Sequence, residues 1–221
     1  MNTRIMFLEE LNKLRHDILA MATRVEEDLG KALSALRNND TELAKEVRAS
    51  DAVVNAMQLK IEDEAAIVIA TQQPVARDLR ELVTIFKLTS NIERIGDYTV
   101  HLAKAAIRLS KGDIAPFRAQ EHLVRMAETG QEMIRAAISA YLAQDSQAAR
   151  NASALDDKID SEHKALTEEI LRHMKEHPNL VKKAVKIIHT SAQLERLGDH
   201  ITNICEAIIY MVEGRHEELN E

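Results

Sequence analysis

Two acidic pairs with helical spacing are the residues of this sequence best suited to chemistry. Glu93 and Asp97 lie four residues apart, and so do Glu195 and Asp199. Side chains at this spacing share one face of a helix, where two like charges destabilise the helix by roughly 0.2–0.5 kcal/mol. A glycine inside each pair adds a further cost of about 1 kcal/mol relative to alanine. Because the same unfavourable arrangement occurs twice, it indicates a function.

A further acidic pair precedes the second of these. Asp156 and Asp160 are also four residues apart, and the chain is expected to turn at His177–Pro178. Asp160 and Glu195 are equally far from that turn, and so are Asp156 and Asp199. In an antiparallel helical hairpin, residues equally far from the turn lie side by side. The sequence therefore predicts that four carboxylates converge.

The first half of the chain departs from this pattern at one position. Asp51 lies where Asp156 lies in the second half, but Asn55 stands where the second half has Asp160. An amide carries no charge, so the acidic cluster in the first half is predicted to be weaker than the one in the second half.

Converging carboxylates predict a bound cation, because they cannot all stay ionised without one. Oxygen ligands suit hard ions such as Mg²⁺, Ca²⁺, Mn²⁺ or ferric iron. The alternative is a pair of solvated acidic faces that Arg94 and Arg196 neutralise through ion pairs. The predicted metal ligands are Asp51, Glu93, Asp97, Asp156, Asp160, Glu195 and Asp199.

Apolar periodicity predicts the elements that position these residues. Apolar side chains recur in steps of three and four from Phe7 to Leu36, which is the pattern of an amphipathic helix. Turn residues divide the chain into six such helices with short connections, an organisation typical of antiparallel bundles. The predicted helices run from Phe7 to Leu36, Thr41 to Thr71, Pro74 to Ser110, Pro116 to Gln144, Asp145 to His177 and Pro178 to Gly214.

An internal repeat groups the six helices into two units. The heptapeptide 91–97 (Asn-Ile-Glu-Arg-Ile-Gly-Asp) matches 193–199 (Gln-Leu-Glu-Arg-Leu-Gly-Asp), and each lies in a helix that follows a proline turn. The prediction is an all-α fold of two tandem antiparallel three-helix bundles, related by an internal pseudo-two-fold repeat. The two bundles are assigned to residues 1–112 and 113–221.

Composition excludes several classes of function. The chain has 221 residues, a formal net charge of −7, 3% aromatic residues and no Trp. This composition argues against base stacking and nucleic-acid binding. No apolar run approaches the ~20 residues of a membrane span, so we do not expect direct membrane insertion. The single cysteine, Cys205, cannot form an internal disulfide, which fits a reducing cytoplasm. The sequence also lacks a glycine-rich phosphate loop, a Ser-His-Asp set and a Cys-x-x-Cys motif, so we do not expect an enzyme.

The two Glu-Arg-(Ile/Leu)-Gly-Asp boxes, at 93–97 and 195–199, resemble those of the PhoU family of phosphate-signalling regulators. The resemblance extends to Gln73–Arg80 and to the opening helix with Phe7, Leu11 and Leu14. It implies surface metal clusters on the acidic residues named above. Iron is the first expectation, ahead of magnesium, manganese, zinc or calcium.

The resemblance also implies a role and partners. It suggests a cytoplasmic adaptor, peripheral at the inner membrane and often homodimeric. Such an adaptor couples the ATPase subunit of the phosphate ABC transporter to a sensor histidine kinase, and it restrains phosphate uptake and the phosphate-starvation response. Two alternatives stay open from the residues alone: a carboxylate-bridged metal enzyme, and a structural helical interaction module.

Overall fold

The structure, a computed structural model, describes residues 2–109, 118–176 and 180–220. All regular structure in these ranges is helical, and they contain no β-strand. The prediction of an all-α fold of tandem three-helix bundles is confirmed. The helices are α1 (Asn2–Asn38), α2 (Thr41–Gln72), α3 (Ala76–Leu109), α4 (Ala119–Ala143), α5 (Ser146–Ser153), α6 (Asp156–Glu176) and α7 (Val181–Glu213).

Each bundle buries the apolar stripes of its own helices. Helices α1, α2 and α3 all pack against one another, and α4, the α5–α6 pair and α7 do the same. The stripe predicted on α1 is buried along its length, from Phe7 to Leu36. Within the described ranges, no helix combines the length and the apolar character needed to cross a membrane.

The predicted fifth helix, Asp145 to His177, is wrong as a single helix. Asp145 caps α5 as expected, since its carboxylate accepts the backbone N–H groups of Gln147 and Ala148 at 2.9 Å. The helix then stops at Ser153, whose hydroxyl donates to the Arg150 carbonyl at 2.9 Å and competes with helical bonding. A tight turn follows, with the Leu155 N–H on the Ala152 carbonyl at 3.3 Å, and α6 begins at Asp156.

Two further predicted boundaries have different outcomes. Pro74 was expected in the first turn of the third helix, but it lies in the connection, two residues before α3. The left-handed backbone of Gln73 (φ 49°) ends α2 there. The predicted helix ends around 110–116 and at 177–179 lie outside the described residues. The boundary between 112 and 113 therefore stays a prediction.

Two helix pairs join the bundles: α3 packs against α7, and α1 packs against α4. On α3, the buried Thr84 donates its hydroxyl to the Ala207 carbonyl of α7 at 3.4 Å. The Lys87 ammonium lies 5.3 Å from the centre of the Tyr210 ring. The α3–α7 pair is the one that carries both acidic boxes.

A buried ion pair stabilises the first bundle next to this junction. Glu81 on α3 is only 3% exposed. Arg15 on α1 holds both carboxylate oxygens, with Nε 2.6 Å from Oε1 and Nη2 2.8 Å from Oε2. Gln144, at the end of α4, adds a third donor at 3.4 Å, so the group links the two bundles.

We predict that Arg15→Ala lowers the free energy of unfolding by about 3 kcal/mol, because it leaves the Glu81 carboxylate buried without its counter-ion. Lys45→Ala is the control, since Lys45 pairs with Glu42 on the surface, where both side chains are more than half exposed. That change should cost less than about 1 kcal/mol. Urea unfolding measures both variants, and equal losses would contradict the prediction.

Candidate functional site

The acidic residues of the second bundle meet where α6 begins beside α7. We call Asp156, Asp160, Glu195 and Asp199 the second acidic cluster. The carboxylates of Asp160, Glu195 and Asp199 are close enough to that of Asp156 to raise its pKa. Asp156, Asp160 and Asp199, together with Asp157, line an open groove of about 440 Å³, which we call the acidic groove.

Asp156 has the most unusual surroundings in this cluster. The residue is 9% exposed, and Thr202 Oγ1 donates to its Oδ2 at 3.1 Å. Its other oxygen, Oδ1, is buried and has no hydrogen-bond partner among the described residues. An unpaired oxygen in a buried carboxylate is costly in free energy. It is the kind of ligand that a cation would satisfy.

The glycine of the second box makes room for this carboxylate. A Cβ atom at Gly198 would lie 2.0 Å from Asp156 Oδ1 and 3.2 Å from Ile159 Cδ1. At Gly96, the nearest atom to such a Cβ would be Val54 Cγ1, at 3.4 Å. Val54, and not Asp51 as predicted, therefore has the place against the box glycine that Asp156 has in the second bundle. Gly198 admits a carboxylate, whereas Gly96 only allows close apolar packing.

The charges in the second acidic cluster are not balanced. Burial, and then the neighbouring carboxylates, raise the pKa of Asp156 to about 7. The pKa values of Glu195 and Asp199 are also raised, first by burial and then by nearby acids. The positive charge of Arg196 lowers the pKa values of Glu195 and Asp199 and so opposes this rise. Arg196 nevertheless has no carboxylate within ion-pair distance in the described part of the chain.

The first acidic cluster, which consists of Asp51, Glu93, Asp97 and Glu62, is neutralised differently. Burial raises the pKa of Glu93, and Asp97, Asp51 and Glu62 raise it further. Arg94 opposes this shift, and its guanidinium lies 3.0 Å from Asp97 Oδ2 and 3.6 Å from Glu93 Oε2. The ion-pair alternative therefore describes the first acidic cluster better than the second.

The contact between α3 and α7 lies between the two clusters. His200 donates from Nδ1 to Asn91 Oδ1 at 2.8 Å, and His101 donates from Nδ1 to Gln193 Oε1 at 2.6 Å. The Tyr98 ring lies beside both imidazoles, with centroid distances of 5.5 and 6.2 Å. Burial and the nearby Arg94 charge lower the pKa of His200.

The family model that describes the PhoU domain matches this chain twice, at residues 18–106 and 123–208. The chain belongs to the PhoU family. It is 34% identical, over 94% of its length and 81% of the relative's, to a phosphate-specific transport system accessory protein PhoU homolog of Pseudomonas putida. A homolog with the same description in Clostridium acetobutylicum is 32% identical over 99% of this chain and 100% of its own.

Solved structures of PhoU proteins have the same fold. The crystal structure of PhoU from Pseudomonas aeruginosa matches with a TM-score of 0.89 and 34% identity, covering 95% of this chain and all of that one. The crystal structure of the phosphate transport system regulatory protein PhoU from Streptococcus pneumoniae matches with a TM-score of 0.87 and 30% identity. That match covers 96% of this chain and all of the other.

The donor atoms of the second acidic cluster fit a hard cation of the kind that the PhoU resemblance implies. The cluster offers carboxylate oxygens, a buried oxygen without a partner, and excess negative charge. Across residues 2–109, 118–176 and 180–220, no three Asp, Glu, His or Cys side chains already surround a common metal position. Metal binding at the seven predicted ligands therefore stays a prediction.

Sequence reasoning missed two features of these sites. Glu62 lies on α2, where Thr89 Oγ1 and Gln58 Nε2 donate to its Oε1 at 3.1 and 2.8 Å. It does not belong to any acidic pair with the four-residue spacing, so no motif indicated it. The second feature is the segment after Gly214, which folds back towards the groove.

Arg150 fixes this C-terminal segment. Its guanidinium lies 2.8 Å from Glu213 Oε1 and 2.7 Å from Glu217 Oε2. The Leu219 N–H then donates to Glu206 Oε1 at 2.8 Å, which places residues 219 and 220 at one end of the acidic groove. The only sequence signal for this segment was Gly214, which predicted the end of the last helix. In the structure its left-handed backbone (φ 74°) ends α7.

We predict that Gly198→Ala lowers the free energy of unfolding by about 2 kcal/mol. The new methyl group would overlap the Asp156 carboxylate, and such overpacking outweighs the gain in helix propensity. Gly96→Ala is the matched control, and it should leave stability unchanged or raise it by up to about 1 kcal/mol. Urea unfolding in EDTA measures both. The assigned roles are wrong if the two variants lose stability equally.

We also predict that Asp156→Asn stabilises the metal-free protein at pH 8. The pKa of this carboxyl is about 7 when folded against an ordinary 3.8. Between these values the folded state holds the proton more tightly, so the wild type loses stability relative to the variant as pH rises. The difference should be near zero below pH ~4 and on the order of 4 kcal/mol above pH ~7.

Thermal and urea unfolding in EDTA between these pH values measure the difference. Asp157→Asn is the control, because Asp157 is the next residue along the helix and its side chain is exposed. A pH-independent difference between wild type and Asp156→Asn would refute the prediction.

Proposed function

We propose that this protein is a phosphate-transport accessory protein that acts as a signalling adaptor. In this role it couples the ATPase subunit of a phosphate ABC transporter to a sensor histidine kinase. When phosphate is abundant, it restrains phosphate uptake and holds the kinase in its inactive state. The observation that carries the proposal is the match of both halves, each with its acidic box, to the PhoU domain model.

The names of the relatives support an accessory role. They describe accessory and regulatory proteins of the phosphate transport system. In the proposed role the protein works in the cytoplasm, as a homodimer, and reaches the inner membrane through the transporter. An adaptor of this kind must bind one state of a partner more tightly than another, because equal affinity would shift no equilibrium.

We propose further that the second acidic cluster holds a metal ion, with iron as the first candidate. A bound cation would supply the counter-charge that the four carboxylates need, and it would link the start of α6 to α7. Asp156 would hold it through its carboxylate, and Asp160, Glu195 and Asp199 would complete the ligand set. The first acidic cluster is the weaker candidate, because Arg94 already neutralises Asp97.

We predict that Asp160→Ala weakens metal binding at least about tenfold, whereas Asn55→Ala changes it less than about twofold. Asp160 adds a charged ligand to the second acidic cluster, while Asn55 contributes no charge to the first. Equilibrium dialysis followed by elemental analysis measures the bound metal. Glu168→Ala, at an exposed position on α6 that does not line the acidic groove, tests for a general effect of removing one exposed carboxylate from this helix. Similar losses in the Asp160 and Asn55 variants would contradict the proposed difference between the clusters.

The adaptor proposal is tested by cross-linked affinity purification from cells grown in high phosphate and after phosphate starvation. We expect to recover the transporter ATPase subunit or a sensor kinase, in an amount that changes with phosphate. Deletion of the gene should raise the expression of phosphate-starvation genes in high phosphate. The proposal would be refuted if neither partner were recovered in either condition and if deletion left the expression of phosphate-starvation genes unchanged.

A further inference from the structure

A second groove, of about 270 Å³, lies between the end of α3 and the beginning of α7. It is therefore at the opposite end of α7 from the segment that follows Gly214. We call it the basic groove. Ala105 and Leu109 on α3 are buried at its floor, next to Val185 on α7. Its polar lining includes Arg108, Lys186 and His189.

The charge of this region is opposite to that of the whole protein. Residues 99–109 and 181–193 contain five Lys or Arg residues and no Asp or Glu, although the chain has a net charge of −7. Among the described residues, Arg108, Lys182 and Lys186 have no carboxylate within ion-pair distance. Most other arginines next to a groove in this protein, such as Arg125 and Arg150, have acidic partners.

Lys182 also lies at the end of α7 where the helix backbone disfavours a positive charge. The first turn of α7 contains no acidic residue, and Leu180 provides no side-chain cap for the free N–H groups. The helix dipole is positive at this end, so the nearby Lys182 ammonium destabilises the folded chain. An external negative charge would relieve this repulsion.

Exposed apolar side chains accompany these cations. Val181 and Val185 lie one turn apart on α7 and are 37% and 56% exposed. Lys182 and Lys186 follow them on the neighbouring stripe of the same helix. The surface therefore offers apolar contact and positive charge side by side, which is what an acidic amphipathic helix needs from a binding groove.

We propose that the basic groove is a docking site for an acidic amphipathic helix of a partner protein. Carboxylates of the helix would pair with Arg108 and Lys186, and its apolar side chains would cover Val185 and the groove floor. A planar membrane would not reach a floor between two helices, and a free phosphate ion would leave Val181 and Val185 uncovered. The inference goes beyond the adaptor role, since it concerns a surface and not the identity of the partner.

The test uses a synthetic, fluorescently labelled peptide of about 20 residues, with leucines on one helical face and glutamates beside them. A scrambled peptide of the same composition has the same charge without the apolar face. Fluorescence anisotropy at roughly 0.15 M salt, where long-range attraction is screened, measures binding to the full chain. We expect the amphipathic peptide to bind at least about tenfold more tightly than the scrambled one.

Matched variants show whether the groove is responsible. Lys186→Glu should weaken binding about tenfold, whereas Lys164→Glu makes the same charge change at an exposed position on α6 and should have less than a twofold effect. Val185→Ser should weaken binding several-fold. Leu171→Ser, which removes a similarly exposed apolar side chain from α6, should not. Circular dichroism checks that each variant is folded.

Three results would overturn the proposal. The first is equal binding of the two peptides, and the second is equal losses in the groove variants and their controls. The third is that the protein does not bind the peptide but binds another ligand through the groove. That ligand would be either vesicles of phosphatidylcholine and phosphatidylglycerol or inorganic phosphate, and Lys186→Glu would abolish its binding. Because the peptide contains no transporter or kinase sequence, this outcome is separate from that of the adaptor test.

Discussion

The antiparallel packing of α3 against α7 is the interaction on which the arrangement of both acidic clusters depends. Each of these helices carries an acidic box near its middle, and the hydrogen bonds from His200 to Asn91 and from His101 to Gln193 connect the two boxes. A shift of α3 along α7 would break these bonds and move one cluster relative to the other. The contact that joins the bundles therefore also fixes the distance between the two candidate sites.

The difference between the clusters follows from how the partner helix meets each box. In the first bundle, α2 is continuous and places Val54 against Gly96. In the second bundle, the corresponding helix is interrupted after Ser153, and Asp156 begins a new helix against Gly198. A carboxylate at a helix N-terminus is favoured by the helix dipole, which partly offsets the cost of burying it. The two halves thus repeat the same box, but the partner helix places an apolar side chain against it in the first bundle and a carboxylate in the second.

Periodicity and repetition were enough to predict the fold and most of the site. Apolar spacing gave the long helices, and distances from the turn at 177–178 placed Asp160 opposite Glu195. The break near Ala154 could not be predicted, because it contains neither proline nor glycine and depends on a local hydrogen bond of Ser153. Glu62 was missed for a different reason, since only the packing of α2 on α3 brings it near Glu93.

The two oppositely charged regions of α7 suggest how the proposed ligands would influence each other. Lys186 in the basic groove and Glu195 in the second acidic cluster are nine residues apart, which is about 13 Å along a helix. This distance exceeds the screening length of about 8 Å at physiological salt, so the two groups of charges interact weakly there. At low salt the unbalanced carboxylates would weaken the positive potential of the basic groove, and a cation bound among them would restore it. Metal binding would then strengthen the binding of an acidic partner, and by reciprocity that partner would strengthen metal binding, with a coupling that fades as the salt concentration rises.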